Sequence, residues 1–120
     1  VMEGVALSML DCMNTLDEIG IAHDKTAAII GGGAKSALWR QIVSDCLGTE
    51  LVVKRNTDSS FGSAMLAGIA AGFWDDEKSA LAVCSETVSV TKPDFEKTRE
   101  YRKMYEKYRK VYDALKDIYQ

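Results

Sequence analysis

A short apolar run, Ala27 to Ile30, ends at three consecutive glycines, Gly31, Gly32 and Gly33, and passes at once into residues with helical spacing. This is the feature that most limits what the chain can become, because it predicts a buried strand, a tight loop and a helix in direct succession. Three adjacent glycines remove every Cβ from the turn. Backbone N–H groups can then approach a bound group closely, and the start of the following helix adds its positive dipole end. Two readings stand at this point: a tight turn and nothing more, or a corner that receives a nucleotide.

The segments on either side fix the fold class. After the corner, Leu38, Ile42, Val43, Cys46 and Leu47 fall on one helical face, and Gly48 supplies a left-handed stop. Before it, residues 2 to 19 place Val5, Met9, Met13 and Leu16 on a stripe expected to face the core, ended by Gly20. No Ser, Thr, Asp or Asn stands in front of that helix to cap it. The apolar residues of positions 26 to 30 and the run Glu50-Leu51-Val52-Val53-Lys54 read as strands flanked by helices. Strands so flanked imply an α/β fold with a short, mainly parallel sheet.

Farther along, Asp58, Ser59 or Ser60 is placed to cap a helix beginning near Phe61 and running to Trp74. Gly62, Ala64, Ala67, Gly68, Ala71 and Gly72 spread over nearly all its faces. Glycine costs about 1 kcal/mol relative to alanine inside a helix, so the run calls for close approach of another helix or of a flat ligand. Asp75-Asp76-Glu77 suits the positive end of a short helix and is read as a solvated cap. Thr87 to Thr91 alternates and reads as a short edge strand or an extended segment, and Pro93, the single proline, closes it. From Asp94 the chain reads as one long C-terminal helix, with Tyr101, Tyr105, Tyr108, Tyr112, Leu115 and Tyr119 forming an aromatic seam. That seam is expected to pack on the domain with its hydroxyls in water at the rim.

Composition removes several function classes. Fifteen Lys and Arg against 18 Asp and Glu give a formal net charge of -3, so no basic field is available for a polyanion and nucleic acid is not an expected partner. No run of 18 apolar residues exists, so no membrane span is expected. The odd set Cys12, Cys46 and Cys84 sits within apolar helical patterns, which reads as reduced, buried thiols in the cytoplasm. His23 is the single histidine and lies in a connector, and no metal ligand set is expected.

The segment GGGAKSALWRQIVSDCLG resembles the adenosine-binding segment of the FGGY carbohydrate kinases, members of the actin-like ATPase superfamily. The segment FGSAMLAGIAAGFW resembles that family's next helix, and the likeness runs from Glu3-Gly4-Val5-Ala6 to the tyrosine-rich tail. The resemblance implies a ribonuclease H-like domain, with residues 1–120 as the last part of the second kinase domain, lacking its opening strands. An open sheet edge of that kind invites pairing with another chain, and a homodimer is one form it would take. The implied activity of the parent is transfer of the terminal phosphoryl of ATP, with Mg2+, to a hydroxyl of a small sugar or polyol. A pentulose such as D-xylulose at C5 is favoured, with glycerol or another FGGY sugar as the alternative.

By the same resemblance Gly31, Gly32 and Gly33 would lie against ribose and adenine, Ala34 would complete the loop with a solvated Lys35, and Ser36 would stand near the adenine. The helix from Gly62 would form the other side of the slot. The family's catalytic aspartate, sugar contacts and phosphate turns match nothing in these 120 residues, so no catalytic residue is assigned and the chain alone is not expected to phosphorylate anything. Thr57, with Asp58 next to it, stands where relatives often carry Glu, and Ser63 replaces a common alanine. The rival of another class is a non-catalytic actin-like nucleotide-binding or structural module. A dinucleotide fold fits poorly, because Ser36 occupies the place of the third glycine of a Gly-x-Gly-x-x-Gly motif.

Overall fold

A computed structural model describes residues 1–56 and 59–118, and the side chains of Ser59 and Cys84 are outside that description. The readings placed on Thr57, Asp58 and Tyr119, on a buried Cys84 thiol and on a Ser59 cap therefore lie outside the described residues. The elements run α1 (Met2–Glu18), β1 (Thr26–Ala28), α2 (Ala37–Leu47), β2 (Glu50–Lys54), α3 (Ser59–Ala70), α4 (Glu77–Cys84), β3 (Thr87–Thr91) and α5 (Phe95–Leu115). Short 3₁₀ turns occupy Gly32–Lys35 and Lys116–Ile118.

The described sheet is mixed, in the order β1-β2-β3. β1 pairs parallel with β2, Thr26 opposite Glu50 and Ala28 opposite Val52, and Ile29 continues the ladder by donating to the Val52 carbonyl at 3.0 Å. β3 closes antiparallel on the other side, Leu51 opposite Thr91, with an irregularity between Val53 and Lys54. The expected edge strand at 87–91 is thus an edge strand. The expected burial of Ala27 to Ile30 is not met: Ala27 and Ile29 are half-buried, whereas Ala28 and Ile30 are exposed. β1 is the outer strand of this sheet, and alternate residues face a side that no described element covers.

The core joins Ala6, Leu7 and Leu10 of α1 to Val43 and Cys46 of α2, Leu51 of β2, and Tyr101 and Tyr105 of α5. Burying a side chain such as Leu10, 1 % exposed, contributes about 1.5–3 kcal/mol. The α1 stripe expected to face inward does not: Val5, Met9 and Leu16 are exposed and Met13 is half-buried. Ala6, fully buried, explains the rotation, because a methyl side chain lets α2 and α5 approach α1 more closely than the methionine stripe would. Leu38 is likewise exposed, at the margin of the α2 face that turns Trp39, Val43 and Cys46 toward the core. Cys12 is exposed, contrary to expectation, because it lies on the α1 face away from that core, whereas Cys46 is buried and its thiol is pushed up to about 11 by burial.

Helix ends follow the chemistry of their caps. Gly48 sits at φ 67° after α2, in the left-handed region. Asp76 caps α4 in a reciprocal box with Ser79, whose hydrogen bonds hold the Asp76 carboxyl below its ordinary range. Asp94 caps α5 by accepting from the Glu96 and Lys97 amides. The tyrosine hydroxyls depart from expectation: Tyr101 donates to Glu3 at 3.1 Å and Tyr105 donates to Asp11, so both tie α5 to α1 rather than reaching water. Farther along, Tyr112 is exposed, and the seam has left the core. No helix among the described residues is long and apolar enough to cross a membrane.

Candidate functional site

The corner is assembled by four local requirements. Gly31 adopts φ 78°, ψ -168°, a region open essentially to glycine alone, and so turns the chain off β1. Gly33 lies under the Trp39 indole, where a Cβ would stand 2.8 Å from Cδ1 and 2.9 Å from Nε1. Ser36 caps α2, its hydroxyl accepting from the Trp39 amide at 3.2 Å. Ala34 is 7 % exposed and turned into the protein, with its carbonyl taken by an Nη1 hydrogen of Arg40. Gly32 is different: a Cβ built there meets nothing within 4 Å.

Of the five candidate binding positions, the structure therefore brings Gly31, Gly32, Gly33 and Ser36 to one exposed turn, and sets Ala34 beneath it. Lys35 is exposed beside them. Two residues that sequence reasoning left without a role build the turn. Trp39 covers Gly33, and Arg40 spans from the Ala34 carbonyl to the Thr91 hydroxyl on β3, the latter at 3.4 Å. Their signal in the sequence was slight, a Trp-Arg pair at the first turn of a helix.

Behind the corner a buried polar network joins α2 to the entry of α5. Asp45 accepts from Gln41 at 2.7 Å and from the Asp94 amide at 2.8 Å, while Ser44 donates to the Thr49 carbonyl at 2.7 Å. Asp45 and Ser44 are essentially inaccessible, so these bonds satisfy groups that water does not reach. Among the described residues no group of three or more His, Cys, Asp or Glu side chains could hold a metal ion. A hollow of about 260 Å³ between α1, α2 and α5 contains none of the corner residues.

The small-residue helix is shorter than its sequence suggested. α3 ends at Ala70 rather than near Trp74, and the chain then turns through Gly72 at φ 78°. Trp74 folds back over Gly68, where a Cβ would lie 2.9 Å from Cε3 and closer still to Cζ3. α3 packs on α4, whereas the corner packs on α2. Each element is organised chiefly by its own neighbours.

Residues 1–71, more than half of the chain, match the model of the FGGY family of carbohydrate kinases, C-terminal domain. The chain is 38% identical over 73 residues to the xylulose kinase of Escherichia coli K12, which takes in 59% of this chain and 15% of that protein. It is 25% identical over 119 residues to the xylulose kinase of Bacillus subtilis 168, covering 98% of this chain and 24% of that protein. Among solved structures, xylulose kinase from Rhodospirillum rubrum superposes with a TM-score of 0.80 at 27% identity, over 98% of this chain and 24% of that one. The chain thus spans between about a seventh and a quarter of the length of these relatives, and its α/β architecture is a portion of their actin-like fold. This chain belongs to the FGGY family of carbohydrate kinases.

Proposed function

We infer that this chain is the nucleotide-binding portion, within the second domain, of an ATP-dependent sugar kinase, and that its parent phosphorylates a pentulose such as D-xylulose to the 5-phosphate. The observation that carries the reading is Gly32. Gly31 is required by its backbone angles and Gly33 by the indole above it, but the missing side chain of Gly32 meets only open space. A flat purine or ribose lying on the turn accounts for it, since any Cβ there would stand between the ligand and the backbone. Gly31, Gly32 and Gly33 then form the floor under adenosine, Ser36 fixes the helix start beside it, and Ala34 anchors the loop from below.

Phosphoryl transfer needs in-line positioning, a carboxylate for the hydroxyl proton, and magnesium to spread charge on the phosphates. The part we assign to this chain is to hold and orient the nucleoside end, with magnesium held mainly by the rest of the parent. The sugar-binding domain, the catalytic base and the sugar itself belong to the rest of the parent, which we place in the cytoplasm, a setting that fits the free thiols of Cys12 and Cys46.

Xylulose is supported by the xylulose kinases of Escherichia coli and Rhodospirillum rubrum as relatives. A second reading, a glycerol kinase, is supported by 30% identity over 83 residues to the glycerol kinase of Dechloromonas aromatica. An ADP-release assay on the full-length protein, run with D-xylulose, glycerol and gluconate in parallel, separates them. Turnover with D-xylulose at least tenfold above the others is expected. Turnover with glycerol alone transfers the assignment to the second reading, and no ADP release with any polyol removes the kinase.

A further inference from the structure

Resting on the nucleotide reading of the glycine corner, we propose that Arg40 is a positioning residue for that site, clamping the turn to the sheet through the Ala34 carbonyl and the Thr91 hydroxyl. The side chain is half-buried, and its two partners lie on different elements, six positions before it and 51 positions after it in sequence. Ala34 is the one inward residue of the turn, held between Gly32-Gly33 and Ser36, so fixing its carbonyl fixes the height of the glycine floor. The turn has few restraints of its own: the Ala34 amide bonds the Gly31 carbonyl at 3.2 Å and the Ser36 amide bonds the Gly33 carbonyl at 3.1 Å, both within the turn. Contact with β3 comes through Arg40.

The chemistry requires a guanidinium. A planar fork directs one N–H to a carbonyl and another to a hydroxyl in fixed relation, whereas a lysine ammonium is a point charge on a flexible stem. Thr91 is itself fixed, because its strand pairs it with Leu51, and its carbonyl lies 3.3 Å from the Ser44 hydroxyl. The clamp thus runs from the β3 edge of the sheet to the backbone on which a nucleoside would rest. Arg40 need not touch the nucleotide.

The test uses the full-length protein, four single variants, Arg40→Lys, Arg40→Met, Thr91→Val and Thr91→Ser, and the Arg40→Met, Thr91→Val double variant, with Gly32→Glu as the reference for the site. Losing one charge-assisted hydrogen bond to a carbonyl predicts that Arg40→Met raises the Kd for ADP about tenfold. Arg40→Lys should recover only part of that loss. Thr91→Val should raise Kd by a smaller factor, Thr91→Ser should restore it, and the Arg40→Met, Thr91→Val pair should be no worse than Arg40→Met alone. In steady state KM for ATP rises while kcat and the sugar KM stay near their starting values, a split that general destabilisation does not produce. The proposal is overturned if Gly32→Glu loses ADP while Arg40→Met and Thr91→Val bind it normally, or if the effects at positions 40 and 91 simply add. If Gly32→Glu also binds ADP normally, the nucleotide reading itself falls, and the clamp falls with it.

Discussion

Two glycines in this chain lie under tryptophan rings, and the two places differ in what remains once the ring is accounted for. Gly68 of α3 sits beneath Trp74, in an arm formed with α4 where Ala64, Ala67 and Leu66 are exposed. Gly33 sits beneath Trp39, whose indole packs against the core formed by α1, α2 and α5. In the arm, the indole explains Gly68, while Gly62 earlier on α3 meets nothing within 4 Å. At the corner the indole explains one of three, backbone geometry explains Gly31, and Gly32 keeps an open face. Glycine content alone is therefore a poor guide to a binding surface, and an open glycine such as Gly32 gains weight from its place between the end of β1 and the start of α2, which the equally open Gly4 and Gly62 lack.

Substitution at each glycine sharpens this contrast. The largest loss is expected at the corner: Gly31→Ala forces a side chain into a glycine-only region at a cost of about 1–3 kcal/mol, and Gly33→Ala presses on an indole that the core prevents from moving, at about 1–3 kcal/mol. Thermal melts that leave both variants unchanged would break the account of the turn. Gly68→Ala meets a similar indole, but Trp74 lies in the looser arm and the helix gains about 1 kcal/mol of propensity. A net change well below that of Gly33→Ala is expected, and an equal or larger loss would erase the distinction between arm and core.

A further contrast lies along α5, between its buried first half and its exposed end. The Tyr101 hydroxyl is pushed up to about 12 by burial and by its bond to Glu3, and the Cys46 thiol to about 11 by burial. Both groups hold their protons more tightly when folded. Their contribution is complete below the unfolded values, near 10 for tyrosine and 9 for cysteine, and is lost as pH rises through the folded ones. Denaturant titrations between pH 9 and 12 should show falling stability, with a shallower fall between pH 10 and 12 in Tyr101→Phe. The smallest effect is expected at the tip, where Tyr112→Ala, at an exposed position, should change stability by no more than about 0.5 kcal/mol.

Much of this fold was legible in the sequence. Period set α1 to within a residue, Gly48 marked the end of α2 and Asp94 the start of α5, whereas α5, read as running on through the tail, gives way to a 3₁₀ turn after Leu115. Which face of α1 turns inward was not legible, because Val5-Met9-Met13-Leu16 and Ala6-Leu7-Leu10 are both apolar. The choice falls to how closely α2 and α5 can approach, a tertiary fact. The tyrosine seam was legible as packing, but its hydroxyls find Glu3 and Asp11 across more than 90 residues of sequence, which no local pattern encodes. At the corner the glycines were visible and their separate reasons were not, since Trp39 and Arg40 act through distances that only the folded chain supplies.

Calorimetric titration of ADP into the full-length protein and its Gly32→Glu variant, with thermal melts alongside, bears most directly on whether the open face of that glycine receives a nucleotide. The account predicts a melting point close to the parent's, since a side chain at position 32 meets nothing in the protein, together with a loss of ADP affinity of tenfold or more. Equal affinity in the two proteins would contradict it.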